Sequence, residues 1–555
     1  MAQPQAVQIT PPTIRVSFSP FTYNSHTMRL PAHSKIAFLL LSLWILQISC
    51  VGDSIEKDEQ RQLPNIVFIF SDDLSFRDLS AYGQQNYETP HLDALIRQST
   101  RFTQAYAGAP ECAPSRGTLL TGMHVGHSPI RLNSSARGFE YLPDSAYTFA
   151  EMLQEAGYAT AVVGKWGLGY KDTPGQPLNQ GFDYHFGYLT HYEAHSYFPW
   201  VLYENNEEVP YSANKGMDIQ PLYDKERSSD RTTYESFYDE AGKLVYMNMN
   251  QAIYAPDVLD EKASEFIAAH QDEPFFLYYT ANLPHGPPIV DDFRQLADRK
   301  DMDIVSREWG GMVQRLDQSV GTIINQLKAT GQYENTLILF ASDNGYAMHN
   351  PAKDANGRRV WPDDEDLQNK GPFKGGKFSV WEGGMRIPFT IHLPGQKETQ
   401  VISQPVWLLD IFPTLAAVTH EEVPESLDGY NLLSLIAGES AAIPQDRIFY
   451  FYKQNEQAIR QGPWYAIREH PEAPIHLFLL EEDQTSTVDL TEIYPDVSAN
   501  LTAILDTIHE PHQWYWNPGD NQERFKAKQA EAIQLGQYIK RYRPNGLEKM
   551  PWERK

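Results

Sequence analysis

The chain has 555 residues, of which 41% are hydrophobic and 12% aromatic, a composition typical of a globular protein. Its formal net charge of −26 argues against binding nucleic acid, or an anionic membrane, through bulk electrostatics. The length accommodates one large α/β domain and a smaller second domain. We find no internal repeats.

Residues 1–62 predict a leader, a signal-like segment and a charged linker. A basic stretch from Met28 precedes the apolar run Ile36–Ile48, and Ser49 and Cys50 follow. This order is typical of an export signal, and the run is shorter than the about 20 residues that span a bilayer. The layout favours Met28 over Met1 as the start. Cys50 resembles a lipoprotein cysteine, so we expect a periplasmic or cell-surface lipoprotein, or else a secreted protein without Cys50.

Buried strands alternate with amphipathic helices from residue 63 to residue 445. The predicted strands are 65–70, 159–163, 274–279, 335–340 and 386–393, and the predicted helices are 89–96, 147–156, 255–269, 307–329 and 404–418. This alternation predicts an α/β fold with a large, mostly parallel sheet flanked by helices. Shorter runs after residue 446 predict a small α+β domain with a short antiparallel sheet and a tail, 446–555.

Residues 181–254 are aromatic and acidic with weak periodicity, which predicts a loop-rich insertion of functional importance. His191 and His195 lie four residues apart within it. On a helix this spacing could bind zinc, but no third ligand is evident. We therefore expect these two histidines to contact a substrate.

Polar residues follow the predicted strands at the positions where each strand ends. They are Asp72, Asp73, Lys165, His285, Asp343 and Asn344. Each has a plain structural alternative: a helix cap for the acids, a surface position for the lysine, a capped loop for the histidine. Ligands of open α/β sheets bind at the carboxyl ends of strands, however, so the six together predict a site. Its oxygen donors suit calcium or magnesium better than zinc.

The segment ECAPSRGTLLTG, Glu111 to Gly122, predicts a helix that begins at or near Cys112. Pro114 suits a first helical turn, where backbone N–H groups and the helix dipole favour an anion. Arg116 lies one turn further on. A small buried cysteine is the alternative. In an exported protein whose Cys50 is lipidated or removed, Cys112 has no disulfide partner and is a candidate for modification.

These residues resemble the type I sulfatases of the alkaline-phosphatase superfamily. The similarity rests on Cys112-Ala-Pro-Ser-Arg116 followed by Thr121-Gly122, and on the strand-end residues in the right order over residues 62–510. The resemblance implies a catalytic domain at 63–445. It also implies that a maturase oxidises Cys112 to formylglycine, whose hydrate attacks sulfur and later releases sulfate.

The resemblance also assigns roles within the site. It places one calcium ion on Asp72, Asp73, Asp343 and Asn344, with the modified Cys112 as a further ligand. Arg116 would hold the formylglycine hydroxyl, Lys165 and Lys377 would contact the sulfate, and His285 would protonate the leaving alcohol. Lys377 is preferred to Lys374 because it lies five residues before Glu382-Gly383-Gly384.

One position departs from the family pattern. Many sulfatases have histidine where this chain has Gly167, and that histidine is a candidate base for sulfate release. His191 and His195 are candidates to replace it. We expect a sulfated polysaccharide as substrate, with a galactose or N-acetylgalactosamine unit. A phosphatase or phosphodiesterase of the same superfamily, and a lipid-anchored glycan-binding protein without activity, are the alternatives.

Overall fold

The computed structural model of the protein describes residues 63–138, 140–214, 234–238, 244–247, 252–286, 288, 290, 292–347, 352–353, 359–360, 362–439, 441 and 443–538. The signal-like segment and Cys50 lie outside these residues, so export and lipidation stay predictions. The described residues from Leu63 onward belong to one compact unit. None of the described helices is both long and apolar enough to cross a membrane.

The described residues contain ten α-helices and nineteen strands. The helices are α1 Pro90–Ile96, α2 Cys112–Thr121, α3 Phe149–Glu155, α4 Ala255–Ala269, α5 Ile304–Ala329, α6 Glu382–Met385, α7 Ile411–Thr419, α8 Leu432–Ile436, α9 Pro495–Thr507 and α10 Gln522–Gln534. The strands are β1 Asn65–Ser71, β2 Thr100–Tyr106, β3 Ala159–Lys165, β4 Tyr184–Tyr188, β5 Val201–Glu204, β6 Glu207–Pro210, β7 Tyr234–Tyr238, β8 Leu244–Met247, β9 Phe275–Thr280, β10 Thr336–Ser342, β11 Ala352–Lys353, β12 Arg359–Val360, β13 Arg386–His392, β14 Gln400–Ile402, β15 Val406–Trp407, β16 Ile448–Lys453, β17 Glu456–Gln461, β18 Trp464–Arg468 and β19 His476–Leu479.

A large mixed sheet forms the centre, in the order β14-β2-β13-β10-β1-β9-β3-β4-β5-β6, with β15 also paired to β2. Strands β10, β1, β9, β3 and β4 are mutually parallel. Strand β13 runs antiparallel to β10 and β2, and β5 and β6 continue the other edge as antiparallel strands. The predicted large, mostly parallel sheet flanked by helices is confirmed.

Strand β1 is central because both of its faces are buried. Ile66, Phe68 and Phe70 belong to one hydrophobic cluster, and Val67 and Ile69 belong to another. Since successive side chains of a strand point to opposite faces, each cluster covers one face of the sheet. Seven consecutive buried residues are typical of a strand with helices on both sides.

The structure differs from the sequence-based elements in several places, among them β2 and α8, which were not predicted. Strands β4, β5 and β6 arise from the region predicted to be loop-rich, and they extend the central sheet. The predicted helix 404–418 is shorter: strand β15 and a 3₁₀ turn, Leu408–Asp410, precede α7. Strand β17 was not predicted, because Glu456–Gln461 contains four polar residues on a strand whose middle is buried.

Strands β16 to β19 form a separate four-stranded antiparallel sheet. Its residues Phe449, Phe451 and Tyr465 belong to the same hydrophobic cluster as Phe68 and Phe70 of β1. The small sheet therefore shares apolar packing with one face of the central sheet. The boundary near residue 446 stays a prediction.

Candidate active site

The carboxyl ends of β1 and β10 bring together the acidic residues of the site. The two strands are parallel and pair Ser71 with Ser342, so the residues that follow them are neighbours. The backbone N–H of Asp343 donates to Ser71 O at 3.1 Å, and the backbone N–H of Asp73 donates to Asp343 Oδ1 at 3.1 Å. Asp73 has a φ of 67°, a left-handed conformation uncommon for aspartate.

Cys112 is the first residue of α2 and is 2% exposed. Glu111 before it is extended, Pro114 lies in the first turn, and the helix ends at Gly122 with a φ of 67°. The predicted helix N-terminus is confirmed. Burial raises the pKa of the Cys112 thiol to about 11, even though Lys165 and Lys377 oppose that shift. An unmodified Cys112 therefore presents a neutral thiol at pH 7.

Three cations each pair with one carboxylate of the site, and all six side chains are buried. The pairs are Lys165 Nζ with Asp72 Oδ2 at 2.6 Å, Arg116 Nη2 with Asp343 Oδ2 at 3.0 Å, and Lys377 Nζ with Asp73 Oδ1 at 2.6 Å. Arg116 also donates through Nη1 to the carbonyl of Lys165 at 2.8 Å. The residues form one connected ionic network, in which removing one charge leaves its partner buried and unpaired.

The charges shift one another's pKa values. Burial alone would raise the pKa of Asp72, but Lys165, His285 and Arg116 lower it to about 2. Burial would lower the pKa of Lys377, but Asp73 raises it above its usual value. Burial and the nearby Asp72 raise the pKa of Asp343. The network thus holds lysine cations beside ionised carboxylates without access to bulk water.

His285 meets Lys377 at the edge of this network. Its Nδ1 lies 2.5 Å from Gly286 O, and because a carbonyl only accepts, Nδ1 carries the ring proton. Its Nε2 lies 3.2 Å from Lys377 Nζ and 3.4 Å from Asp73 Oδ2. Burial lowers the pKa of His285, with Asp73 opposing. Lys377 Nζ also lies 3.4 Å from Cys112 Sγ, which links the cysteine and the histidine through one ammonium group.

Two buried oxygen atoms of the site lack a hydrogen-bond partner among the described residues. They are Asp72 Oδ1 and Asn344 Oδ1. Ligand atoms of Asp72, Asp73, Cys112 and His285 also lie within 4.8 Å of one another. Buried carboxylate and amide oxygens without donors are the ligands that a hard divalent cation takes. The residues present therefore fit a metal ion, and the group that lies together has His285 beside Asp72, Asp73 and Cys112. The predicted ligand set, with Asp343 and Asn344, stays a prediction.

His191 and His195 approach the site from the segment after β4. The ring of His195 stacks on that of His285, with centroids 4.4 Å apart and planes 20° apart. His195 ends a 3₁₀ turn, Glu193–His195, so the two histidines do not share a helix as a zinc pair would. Burial and the neighbouring His285 lower the pKa of His195 well below its usual value.

Gly167 follows Lys165 and Trp166 with a φ of 83°. A Cβ atom at this position would lie 3.6 Å from Arg116 Cδ and 3.7 Å from His191 Cβ, which are ordinary contacts. The backbone conformation, rather than lack of space, is therefore what favours glycine here. The side chain of His191 begins beside the place where a side chain at position 167 would begin.

Sequence reasoning missed one pair beside Cys112. Glu111 is 1% exposed, and its Oε1 accepts from Lys453 Nζ at 2.8 Å. Lys453 is the last residue of β16, so the small sheet contacts the residue that precedes the cysteine. A glutamate at a helix N-terminus is common in sequences, and nothing in its neighbourhood indicates a partner more than 300 residues away.

A second group of possible metal ligands lies just after α2. One ligand atom from each of His124, His127 and Asp428 lies within 4.8 Å of the other two. Here some of the possible ligand atoms are already engaged: Asp428 Oδ2 accepts from His124 N at 2.7 Å and lies 3.2 Å from His127 Nδ1, and His124 Nδ1 accepts from Gly126 N at 3.0 Å. This group therefore has the character of a hydrogen-bonded turn.

The comparisons with known proteins agree with this geometry. Residues 64–421 match the family model described as Sulfatase. The chain belongs to the sulfatase family. Residues 375–502 also match a model described as the C-terminal part of N-sulphoglucosamine sulphohydrolase. As a sulfatase the protein is a sulfuric ester hydrolase, and its fold is that of the alkaline-phosphatase superfamily. The phosphatase and binding-protein alternatives are not supported.

This sulfatase is similar to an N-acetylgalactosamine-6-O-sulfatase of Bacteroides thetaiotaomicron, with 30% identity over 82% of this chain and 96% of the relative. It is 30% identical to the N-acetylgalactosamine-6-sulfatase of Rattus norvegicus, over 73% of this chain and 71% of the relative. A solved structure of Ps i-CgsB in complex with k-i-k-neocarrahexaose is 26% identical, with a TM-score of 0.64 over 86% of this chain and all of the other.

The structure brings together every residue that the sequence predicts for the metal and the reaction. Cys112, Arg116, Lys165, His285 and Lys377 form one network with the oxygen ligands, as described above. Their individual roles stay predictions, as do those of His191 and His195.

Proposed function

We propose that this sulfatase hydrolyses sulfate esters on sulfated polysaccharide sugars, of the galactose or N-acetylgalactosamine type. The observation that carries the proposal is the position of Cys112, which begins a helix and lies 3.4 Å from the ammonium group of Lys377. The similarity to two N-acetylgalactosamine-6-sulfatases supports the sugar type. The complex of Ps i-CgsB with k-i-k-neocarrahexaose supports a carbohydrate substrate.

Three groups of this chain would bind the sulfate ester. Lys165, Lys377 and the N-terminus of α2 present positive charge to a tetrahedral oxyanion inside a buried site, where electrostatic interactions are strong. Arg116, fixed by Asp343 and by the carbonyl of Lys165, orients the side chain at position 112. The positive charges are few and local, which reconciles an anionic substrate with a protein of net charge −26.

His285 would protonate the leaving alcohol oxygen as its bond to sulfur breaks. Because Nδ1 keeps its proton toward Gly286 O, the proton transferred is the one that Nε2 carries when the imidazole is charged, and Nε2 lies 3.4 Å from the Asp73 carboxylate and 3.2 Å from Lys377 Nζ. The ring is held by the Gly286 carbonyl on one side and by stacking with His195. For sulfate release, the approach of His191 to Gly167 makes His191 and His195 the candidates for the missing base.

Two groups from outside the unmodified chain complete the site. Formylglycine made from Cys112 by a maturase would supply the nucleophile as an aldehyde hydrate, from which sulfate can leave without a second displacement. A calcium ion on Asp72, Asp73, Asp343 and Asn344, with residue 112 as a further ligand, would polarise the ester oxygens as a Lewis acid. Magnesium suits the same oxygens.

We also propose that the protein is exported, either as a lipoprotein anchored through Cys50 or, after signal cleavage, as a secreted enzyme. This rests on the sequence of residues 28–50. Metabolic labelling with a fatty acid, compared between wild type and Cys50→Ala, distinguishes the two. Fatty-acid label in the wild type, but not in Cys50→Ala, supports the lipoprotein anchor.

Mass spectrometry of the tryptic peptide Phe102–Arg116, after expression with a maturase, tests the proposed chemistry. We expect the aldehyde mass at Cys112 and hydrolysis of at least one sulfate ester in a set of regioselectively sulfated galactose and N-acetylgalactosamine monosaccharides. A Cys112→Ala variant is the control. An unmodified thiol in active protein contradicts the mechanism, and a converted peptide without any turnover contradicts the proposed substrate class.

A further inference from the structure

A cleft of about 630 Å³ lies between the loop that carries Lys377 and the small sheet. Its walls come from Lys370, Lys374 and Trp381 on one side, and from β18, β19 and the residues near Ser486 on the other. The volume is within the range of ligand sites. None of the groups proposed above for catalysis lines it.

The position of this cleft follows from chain geometry. Lys374 and Lys377 are three residues apart, so their Cα atoms are at most ~11 Å apart. The loop is fixed by backbone bonds, because Gly383 N donates to Lys374 O at 2.7 Å and Lys377 N donates to Tyr346 O at 2.7 Å. The wall of the cleft and the active site therefore share one short, fixed loop.

Lys374 supplies a cation at the wall of the cleft. Its Nζ lies 3.7 Å from the centroid of the Trp381 ring and 5.8 Å from that of Phe478. No carboxylate of the described residues is within ion-pairing distance of Lys374 Nζ. Lys374 is exposed, and the partial burial of its ammonium lowers its pKa, with Asp483 and Glu469 opposing, so its charge is accessible to a ligand and has no close anion.

Ser486 supplies a second observation that points to a ligand. Its side chain is 1% exposed, and Oγ has no hydrogen-bond partner in the part of the chain that the structure describes. The turn around it is fixed, since Asp483 Oδ2 accepts from Thr487 N at 2.6 Å and from Val488 N at 2.8 Å. A buried hydroxyl without a partner at the wall of a cleft fits a ligand rich in hydroxyl groups.

The remaining charges of the cleft limit what it can bind. Arg468 is neutralised by Asp506 at 2.7 Å, and His476 pairs with Asp489 at 2.7 Å. Lys370 and the exposed Glu469 add one charge of each sign to the lining. An aromatic wall, a hydroxyl and an ammonium without a close carboxylate are the complement of an anionic sugar. Aromatic faces pack on sugar rings, and the ammonium complements a sulfate or carboxylate.

We propose that this cleft binds an anionic sugar that neighbours, in the same glycan, the sugar whose sulfate ester is hydrolysed. The proposal rests on the proposed function and extends it from a sulfated monosaccharide to an oligosaccharide. Lys374 sets the preference for a charged neighbour, and Ser486 contacts a hydroxyl of that neighbour.

Matched substrates test the cleft in the matured enzyme. We compare kcat/KM for N-acetylgalactosamine 6-sulfate and for a tetrasaccharide that alternates this sugar with a uronic acid. Lys374→Ala should lower kcat/KM for the tetrasaccharide about fivefold more than for the monosaccharide, the effect of one ion pair. Lys374→Arg should restore most of the preference, and Ser486→Ala should reduce it by about threefold, the effect of a weak hydrogen bond. Lys526→Ala, which removes an exposed lysine on α10, should change neither value.

Equal effects of Lys374→Ala on the two substrates, or no effect on either, would overturn the proposal. Binding separates its failure from that of the proposed function. Isothermal titration of Cys112→Ala protein with the tetrasaccharide, with and without Lys374→Ala, measures the cleft without turnover. If the matured wild type is inactive while Lys374→Ala still weakens binding, the proposed function fails and the cleft stands.

Discussion

The two clusters of possible metal ligands differ in what their atoms already contact. In the active site, Asp72 Oδ1 and Asn344 Oδ1 are buried without donors. In the second cluster, Asp428 accepts from His124 N, and His124 Nδ1 accepts from Gly126 N. Similar residue types at similar distances therefore differ in chemical capacity, because the active site keeps two buried oxygen atoms without any donor, whereas the described acceptor atoms Asp428 Oδ2 and His124 Nδ1 of the second cluster are already engaged.

The clusters also differ in solvent and charge. The site acids are buried to 5% side-chain exposure or less and each pairs with a lysine or arginine, whereas the side chains of His127 and Asp428 are 31% and 23% exposed. Burial strengthens each electrostatic interaction in the active-site cluster, so replacing one of its charged residues is costly in free energy. Solvent weakens the electrostatic interactions of the second cluster. We expect substitutions in the two clusters to have very different effects.

Isosteric substitution of one acid in each cluster should give the largest contrast. Asp343→Asn removes the negative charge that holds Arg116 in place, and it also removes a proposed anionic metal ligand. We therefore expect sulfatase activity to fall at least ~1,000-fold. Asp428→Asn should retain activity within about twofold, the size of an indirect effect. Steady-state assays of the matured proteins check this. Comparable losses in the two variants would remove the distinction between the clusters.

Metal content should separate the clusters independently of activity. Wild type should contain about one divalent cation per chain, and Asp72→Asn should lose it because the site then has one fewer anionic ligand. His124→Asn and His127→Gln should keep it. Elemental analysis after dialysis measures the content, and chelation should lower the Tm of wild type but not that of Asp72→Asn. Loss of the metal in His127→Gln would assign it to the second cluster.

His195 offers a smaller test within the active site. Its ring stacks on His285, and such contacts contribute about 0.5–1.5 kcal/mol. His195→Ala should therefore lower kcat roughly two- to tenfold if the stacking orients His285. His195→Phe keeps an aromatic ring and should recover most of the rate. If the phenylalanine variant is as slow as the alanine variant, the imidazole itself takes part in sulfate release.

The smallest expected effect is the pH dependence of the His127 pair. Asp428 raises the pKa of His127. The pair's contribution to the free energy of unfolding is therefore fully present below the usual histidine pKa, and it is lost as the pH rises through the raised pKa of His127. His127 lowers the pKa of Asp428, so the pair also weakens in acid. Wild type should exceed His127→Gln in unfolding free energy by no more than about 0.5 kcal/mol near pH 5.5, and by less near pH 8.5.

Urea unfolding of both proteins at the two pH values checks this. The ring of His124 stacks on that of His127, with centroids 3.8 Å apart, and burial lowers the pKa of His124 to about 4. Because His124 is present in both proteins, its contribution to the pH dependence largely cancels in the difference. Arg131 and Glu510 also act on His127 and are unchanged. A larger difference at the higher pH would contradict the pairing.

The sequence predicted which residues lie together at the candidate site because their positions are fixed by regular structure. Asp72, Lys165 and Asp343 stand at or just past the ends of buried parallel strands, where an apolar run indicates both the strand and its end. Cys112 was placed at a helix N-terminus by Pro114, which is a local signal.

The features that the sequence did not predict depend on contacts between distant segments. The second cluster joins His127 to Asp428, and the proposed cleft joins the Lys374 loop to Ser486, pairs that no periodicity relates. Strands β4 to β6 were missed because their residues mix aromatic, polar and glycine positions. The pairing of β4 with β3, which β5 and β6 then extend, supplies what local propensity does not. Conformations such as that of Gly167 are likewise set by their surroundings.

The ion pair between Glu111 and Lys453 has a consequence for any shortened form of the enzyme. A chain cut near residue 445 would leave Glu111 without its cation directly before Cys112, and would uncover the apolar surface that Phe449 and Phe451 fill. We therefore expect a fragment that lacks the small sheet to be inactive. Insertions that preserve activity should lie in the outer turns of the small sheet. The small sheet thus helps to hold the residue that directly precedes Cys112.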